Sequence, residues 1–208
     1  MATSYSGFTT LDSIKQLNLR AQRQKLFSNV QAVEPAQSLI SLLAKNRRLP
    51  LGNEKAKSEM LVAPILSEIW SLNEDWCTLF SGYILDVDKE KGLTGRCDFL
   101  FSAIDSPEVQ APLFAVVEAK NDNVDDAIAQ CAAQMLAARM FNERENRPDN
   151  TIYGASTTGY EWLFMRLDGF VVNVDKELYQ LAALPELLGV LQHILNFSKT
   201  LSLHQPAS

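Results

Sequence analysis

Two acidic residues and a lysine stand on two neighbouring predicted strands. Asp98 lies within the predicted strand 93–102, and Glu118 and Lys120 end the next one, 113–120. Side chains alternate along a strand, so Glu118 and Lys120 point to the same face of the sheet. If the two strands pair, Asp98 is brought beside Glu118.

This combination of residue types is suited to metal-dependent chemistry. Two neighbouring carboxylates repel, and each raises the pKa of the other unless a divalent cation lies between them. Carboxylate oxygens are ligands that suit Mg²⁺ and Mn²⁺. A neighbouring lysine supplies a positively charged donor for a water molecule or a phosphoryl oxygen. The three residues together therefore indicate phosphodiester hydrolysis.

The Glu-x-Lys triplet alone is a weak signal, since roughly one is expected by chance in a chain of this length. Its position is more informative. The predicted strand 113–120 is almost wholly apolar until it ends in Glu118-Ala119-Lys120, which indicates a central strand covered on both faces. Charge at the end of such a strand favours a site over an ordinary solvated strand end. Arg96 is expected to pair with a carboxylate rather than to contact a phosphate.

Two other motifs are weaker. Residues 157–160, Thr-Thr-Gly-Tyr, join two predicted strands and could border a binding cleft, although a purely structural turn is the favoured interpretation. Residues 86–90 imitate the start of a calcium loop, but Lys91 and Cys97 stand where that loop needs glycine and glutamate. We interpret this segment as a solvated hairpin.

Hydrophobic spacing and turn residues predict the elements that position these side chains. Three helices are predicted first, over about 10–26, from Pro35 to about Leu43, and over 54–70 with a kink at Pro64. Strands 79–87, 93–102 and 113–120 follow, then a helix over 124–142 and a strand 151–157 that returns parallel to strand 113–120. Asp168-Gly169 predicts a hairpin between strands 162–167 and 170–174, and the last predicted helix covers 186–197.

This order of elements predicts an α/β fold. We expect a mixed sheet flanked by helices over residues 51–208 and an N-terminal helical extension over residues 1–50. Several basic residues lie in the extension, and they are expected to occupy solvated helix faces.

Composition excludes several classes of function. The 208 residues include 19 Lys and Arg against 25 Asp and Glu, a formal charge of −6, which argues against bulk electrostatic binding of nucleic acid but leaves room for a local basic face. Three cysteines without a CxxC pair and two histidines fit neither a disulfide framework nor a zinc site. No apolar run approaches the ~20 residues of a membrane span, and no secretory signal is present, so a cytoplasmic protein without a membrane partner is expected.

With Asp98 on one strand and Glu118-x-Lys120 on the next, the sequence resembles the PD-(D/E)XK nuclease superfamily, which has the restriction endonuclease-like fold. The resemblance covers residues 53 to 165, in the order helix, three strands, helix, strand. Cys97 stands where the family's signature has a proline before the aspartate.

The resemblance implies further site residues. An acidic residue on the first helix often completes the metal site in this family. Glu59 is preferred over Glu54 for this position because it shares a helical stripe with apolar residues that could face the sheet. One branch of the family also has a glutamine on the following helix, as part of a Gln-x-x-x-Tyr pattern. Gln130 stands in a comparable place, with Gln134 at the position of the tyrosine.

The resemblance implies Mg²⁺-dependent (or Mn²⁺-dependent) cleavage of a phosphodiester in DNA or RNA. Asp98 and Glu118 would be metal ligands, with Glu59 as an additional ligand or base. Lys120 would orient the attacking water, and Gln130 would assist. The alternative is a non-catalytic binding or assembly module that keeps this fold. Nucleic acid is the expected partner, and a homodimer is left open.

Overall fold

The computed structural model describes residues 2–147 and 151–203. Within them, eight strands form one mixed sheet: β1 (Arg20–Gln24), β2 (Thr78–Ile84), β3 (Arg96–Ser102), β4 (Leu113–Ala119), β5 (Thr151–Thr157), β6 (Glu161–Asp168), β7 (Val171–Asp175) and β8 (Tyr179–Gln180). The helices are α1 (Gln37–Asn46), α2 (Glu54–Lys57), α3 (Ala63–Ser71), α4 (Ile128–Arg144) and α5 (Leu184–Leu203). This confirms the predicted α/β class with a mixed sheet flanked by helices.

The strands follow the order β1-β7-β6-β5-β4-β3-β2, with β8 paired to β6. Strands β2, β3 and β4 form an antiparallel meander, and α4 then carries the chain to β5, which pairs parallel to β4. The predicted strand-helix-strand crossover is therefore confirmed. The predicted hairpin at Asp168-Gly169 is also confirmed, since β6 and β7 pair antiparallel on either side of it.

Helices cover both faces of the sheet, which explains why β4 is buried along its whole length. On one face α4 packs through Ile128, Cys131 and Met135. A Cβ at Gly154 on β5 would lie 2.5 Å from the sulfur of Met135, so glycine permits the close approach of this helix. On the other face, α3 and α5 pack on the sheet through apolar side chains such as Ile65 and Leu191. Among the described residues, no helix is both long enough and apolar enough to cross a membrane.

The helix predicted over about 10–26 is wrong. The chain forms a short 3-10 helix at Ser13–Leu17, which ends at Asn18 in the left-handed conformation, with φ 59°. It then forms β1, which pairs parallel with β7 and lies at the edge of the sheet. The open edge of β7 decides the conformation of this polar segment, because pairing overrides weak helical spacing. The first 50 residues are therefore not a purely helical layer, although α1 forms as predicted after Pro35.

The helix expected over 54–70 is present as α2 and α3, joined by a π-helical turn at Ser58–Val62. This π-helical turn is the irregularity of the helix that Pro64 was expected to cause. Proline has no N–H with which to bond the carbonyl of Met60, four residues earlier. The side-chain amide of Asn46 donates to that carbonyl instead, at 2.8 Å.

Candidate active site

Glu118 lies near the carboxyl end of β4 and is only 3% exposed. Its carboxylate accepts hydrogen bonds on both oxygens. Lys120 Nζ donates to Oε1 at 2.9 Å, and Gln130 Nε2 donates to the same oxygen. Gln134 Nε2 donates to Oε2 at 2.7 Å. The buried charge is therefore held by one cation and two amides.

Asp98 lies on β3, which pairs with β4. The register pairs Phe99 with Val117, so Asp98, one residue before Phe99, stands opposite Glu118, one residue after Val117. The backbone N–H of Ala119 donates to Asp98 Oδ2 at 2.8 Å and fixes the orientation of this carboxylate. Strand alternation and antiparallel register thus bring together the three residues that the sequence singled out.

Burial makes this an electrostatically unusual pair of acids. Desolvation, followed by the charge of Asp98, raises the pKa of Glu118 to about 7. Desolvation also raises the pKa of Asp98, although the hydrogen bond from Ala119 and the charge of Lys120 oppose the increase. Burial alone would lower the pKa of Lys120, but the surrounding carboxylates outweigh it and raise this pKa. Lys120 is therefore a protonated donor at neutral pH, whereas Glu118 titrates near neutrality.

The predicted orientation of the two candidate glutamates is wrong, because Glu54 and not Glu59 faces the cluster. Glu54 Oε2 lies 3.9 Å from Lys120 Nζ. The Glu59 side chain is 54% exposed and its carboxylate lies 3.5 Å from Lys55 Nζ. The prediction assumed regular α-helical spacing after Glu59, but the π-helical turn at Ser58–Val62 has more residues per turn and rotates Glu59 away from the sheet.

Gln134 is a site residue that the sequence reasoning did not identify. It is fully buried on α4, one helical turn after Gln130, and both amides reach Glu118 because residues four apart share a helix face. Its Oε1 is buried and has no hydrogen-bond partner in the part of the chain that the structure describes. The spacing of two glutamines in an alanine-rich helix was the signal that could have found it.

Arg96 is not part of the cluster. Its guanidinium donates to the carbonyl of Gly82 on β2, and the expected pairing of Arg96 with a carboxylate is not formed among the described residues.

The carboxylates of Asp98 and Glu118 supply some of the oxygen ligands that a hard divalent cation needs. Among residues 2–147 and 151–203, no group of three or more His, Cys, Asp or Glu side chains is arranged to hold a metal ion. The pair Asp98 and Glu118 nevertheless offers only oxygen ligands. Asp98 Oδ1 accepts no hydrogen bond from the described residues, and desolvation raises the pKa of both acids. The carboxylates of Asp98 and Glu118 are therefore suited to binding a divalent cation. Glu54 lies close to them, with its Oε2 3.9 Å from Lys120 Nζ.

No protein-family model matches the chain, and no curated protein matches its sequence.

Proposed function

We propose that the protein is a Mg²⁺-dependent nuclease-like enzyme that hydrolyses phosphodiester bonds of nucleic acid, with the restriction endonuclease-like fold. The observation that carries the proposal is the buried carboxylate of Glu118, bonded to Lys120 and opposite Asp98 at the carboxyl end of a central strand. Perturbed carboxylates of this kind concentrate at functional sites. The order of α3, the β2-β3-β4 meander, α4 and β5 supports the same assignment.

Asp98 and Glu118 would hold the divalent cation. When bound, the cation supplies Lewis-acid stabilisation of charge on a phosphoryl oxygen. Lys120 is protonated, so it acts as a donor that orients the attacking water or an anionic oxygen and not as a base. Gln130 and Gln134 hold the carboxylate of Glu118 in place.

The test is cleavage of labelled single-stranded and duplex DNA and RNA with Mg²⁺ or Mn²⁺. Lys120→Ala is expected to lower the rate about 10²–10³-fold, the usual effect of losing a positioned donor. Lys55→Ala is the matched control, because its side chain is 82% exposed and pairs only with Glu59 among the described residues. Cleavage by Lys120→Ala at the wild-type rate would contradict the proposed role.

A specific observation also favours the alternative, a non-catalytic binding or assembly module. Both oxygens of Glu118 already accept hydrogen bonds from three donors, so the carboxylate is satisfied without a metal ion. Calorimetric titration with Mn²⁺ separates the two proposals. A nuclease requires Mn²⁺ binding that is lost in Asp98→Asn, whereas an assembly module requires none.

A further inference from the structure

A cavity of about 340 Å³ opens beside the Glu118 cluster, which we call the Tyr160 cavity. Its lining includes Arg47, Lys57, Asn121, Thr158, Tyr160 and Gln180. It lies just beyond the carboxyl ends of the parallel strands β4 and β5, the part of an open α/β sheet where ligands commonly bind.

The cavity and the cluster are joined through the chain itself. Asn121 directly follows Lys120, and Lys57 Nζ donates to the carbonyl of Asn121. The Lys57 side chain is 14% exposed and also lies 3.9 Å from the carboxylate of Asp122. A strand of nucleic acid in the cavity would therefore pass directly beside Lys120.

The rim of the cavity carries an aromatic ring on a well-held turn. Tyr160 is 37% exposed, and its carbonyl accepts a hydrogen bond from the N–H of Leu181 at 2.8 Å. Gly159 has φ +81°, and a Cβ there would lie 3.0 Å from Leu61, so this turn requires glycine. The backbone of this turn is therefore fixed, and it places a partly exposed aromatic residue in the lining of the cavity.

The cavity also has a cation that is not paired within the described residues. Arg47 follows the end of α1 and is exposed, and its guanidinium makes no hydrogen bond or ion pair there. Together with Lys57 it places two positive charges in the lining, which also contains Asp122, 3.9 Å from Lys57 Nζ, and Glu161. A planar ring with nearby cations is the arrangement that binds a base and its phosphate.

We propose that the Tyr160 cavity binds one unstacked nucleotide of a single-stranded nucleic acid, next to the phosphodiester that reaches Lys120. This proposal rests on the proposed nuclease function and names its substrate class. The base stacks on Tyr160, and its phosphate lies between Arg47 and Lys57. The cavity is far too small to hold a duplex. The chain's formal charge of −6 also disfavours extended electrostatic contact with the phosphates of a duplex.

The experiment measures binding of labelled eight-residue oligonucleotides by fluorescence anisotropy, with Ca²⁺ in place of Mg²⁺. Single-stranded DNA, single-stranded RNA and a duplex of the same length are compared. Tyr160→Ala is expected to weaken single-strand binding about tenfold through loss of base stacking. Arg47→Ala is expected to weaken it and to reduce the slope of log affinity against log salt by about 0.7.

Two matched substitutions control for aromatic and charged surface in general. Tyr83→Ala removes a ring that is 40% exposed on β2, away from the cavity. Arg20→Ala removes an exposed cation on β1. Arg20 pairs with Val171 on β7, and Val171 pairs in turn with Asp168, at the end of β6 that is far from Tyr160. Both controls should bind single strands with wild-type affinity, and thermal melts should show that all four variants are folded.

The outcomes for the cavity and for the catalytic proposal are separable. Wild-type affinity in Tyr160→Ala and Arg47→Ala, or tighter binding of the duplex, would overturn the cavity assignment even if the protein cleaves nucleic acid. Absence of cleavage by the wild type would overturn the proposed function. A selective loss of single-strand binding in Tyr160→Ala would still support the cavity in that case.

Discussion

Replacing Glu118 with glutamine should remove a pH dependence of stability that the buried carboxyl creates. The pKa of Glu118 is raised from its ordinary value of 4.5 to about 7, chiefly by burial. A carboxyl with a raised pKa binds its proton more tightly in the folded protein than in the unfolded chain. The contribution of Glu118 to the free energy of unfolding therefore falls as the pH rises from about 4.5 to about 7, and this contribution is constant above that range.

The size of the effect follows from the shift. With those two pKa values, ionisation of Glu118 lowers the free energy of unfolding by about 2–3 kcal/mol between pH 5 and pH 8. Glutamine has no charge to desolvate, so this component disappears in Glu118→Gln.

The substitution also preserves the hydrogen bonds. The new amide can keep its oxygen toward Lys120 and Gln130 and turn its NH₂ toward Gln134. A flip of the Gln134 amide then presents Oε1, which has no hydrogen-bond partner among the described residues of the wild type, as the acceptor. We therefore expect Glu118→Gln to fold and to be more stable than the wild type at pH 8.

Urea unfolding of metal-free protein at about pH 5, 6, 7 and 8 measures this difference. The wild type should lose about 2–3 kcal/mol more than Glu118→Gln over this range. Glu59→Gln is the control and should follow the wild-type profile, because its side chain is 54% exposed. Parallel profiles for the wild type and Glu118→Gln would refute the reasoning, since Lys120 and the two glutamines would then fully compensate the buried charge.

Three further predictions concern the residues around Glu118. Asp98→Asn should be neutral or stabilising without metal at pH values where the Asp98 carboxyl is ionised, because it removes a desolvated charge while keeping an acceptor for Ala119; a melting temperature well below wild type would contradict this. Glu54→Gln should weaken Mn²⁺ binding in calorimetry, whereas Glu59→Gln should leave it unchanged, and equal effects would contradict the positions of these two side chains. Asn46→Ala should lower the free energy of unfolding by about 1–3 kcal/mol in urea titrations, because the carbonyl of Met60 loses its donor; an unchanged unfolding midpoint would contradict this.

The amino-acid sequence was sufficient to bring the central residues of the site together. Side-chain alternation places Glu118 and Lys120 on one face whatever the rest of the fold does, since it depends only on local strand geometry. The apolar run of β4 and the alanine-rich segment of α4 likewise predicted a covered central strand and a crossover, and both were confirmed. These features depend on periodicity within one segment, and short-range periodicity is visible in a sequence.

Features that depend on contacts between distant segments were decided by the tertiary structure. β1 forms because the edge of β7, some distance along the chain, offers it hydrogen bonds. Glu54 faces Lys120 in place of Glu59 because a π-helical turn changes the rotation of the helix before Pro64. A sequence pattern assumes regular helical rotation and cannot register such a change, because the irregular turn is stabilised by partners outside its own segment.

The Tyr160 cavity is a further case. Arg47 follows α1, Lys57 ends α2 and Tyr160 lies in the turn between β5 and β6, and no spacing in the sequence links them. They meet beyond the carboxyl ends of β4 and β5, where Lys57 donates to the carbonyl of Asn121. The alternation of side chains along a strand therefore predicted which side chains could do chemistry. The packing of separate segments decided which residues are their neighbours, because contact between distant residues is a property of the folded chain.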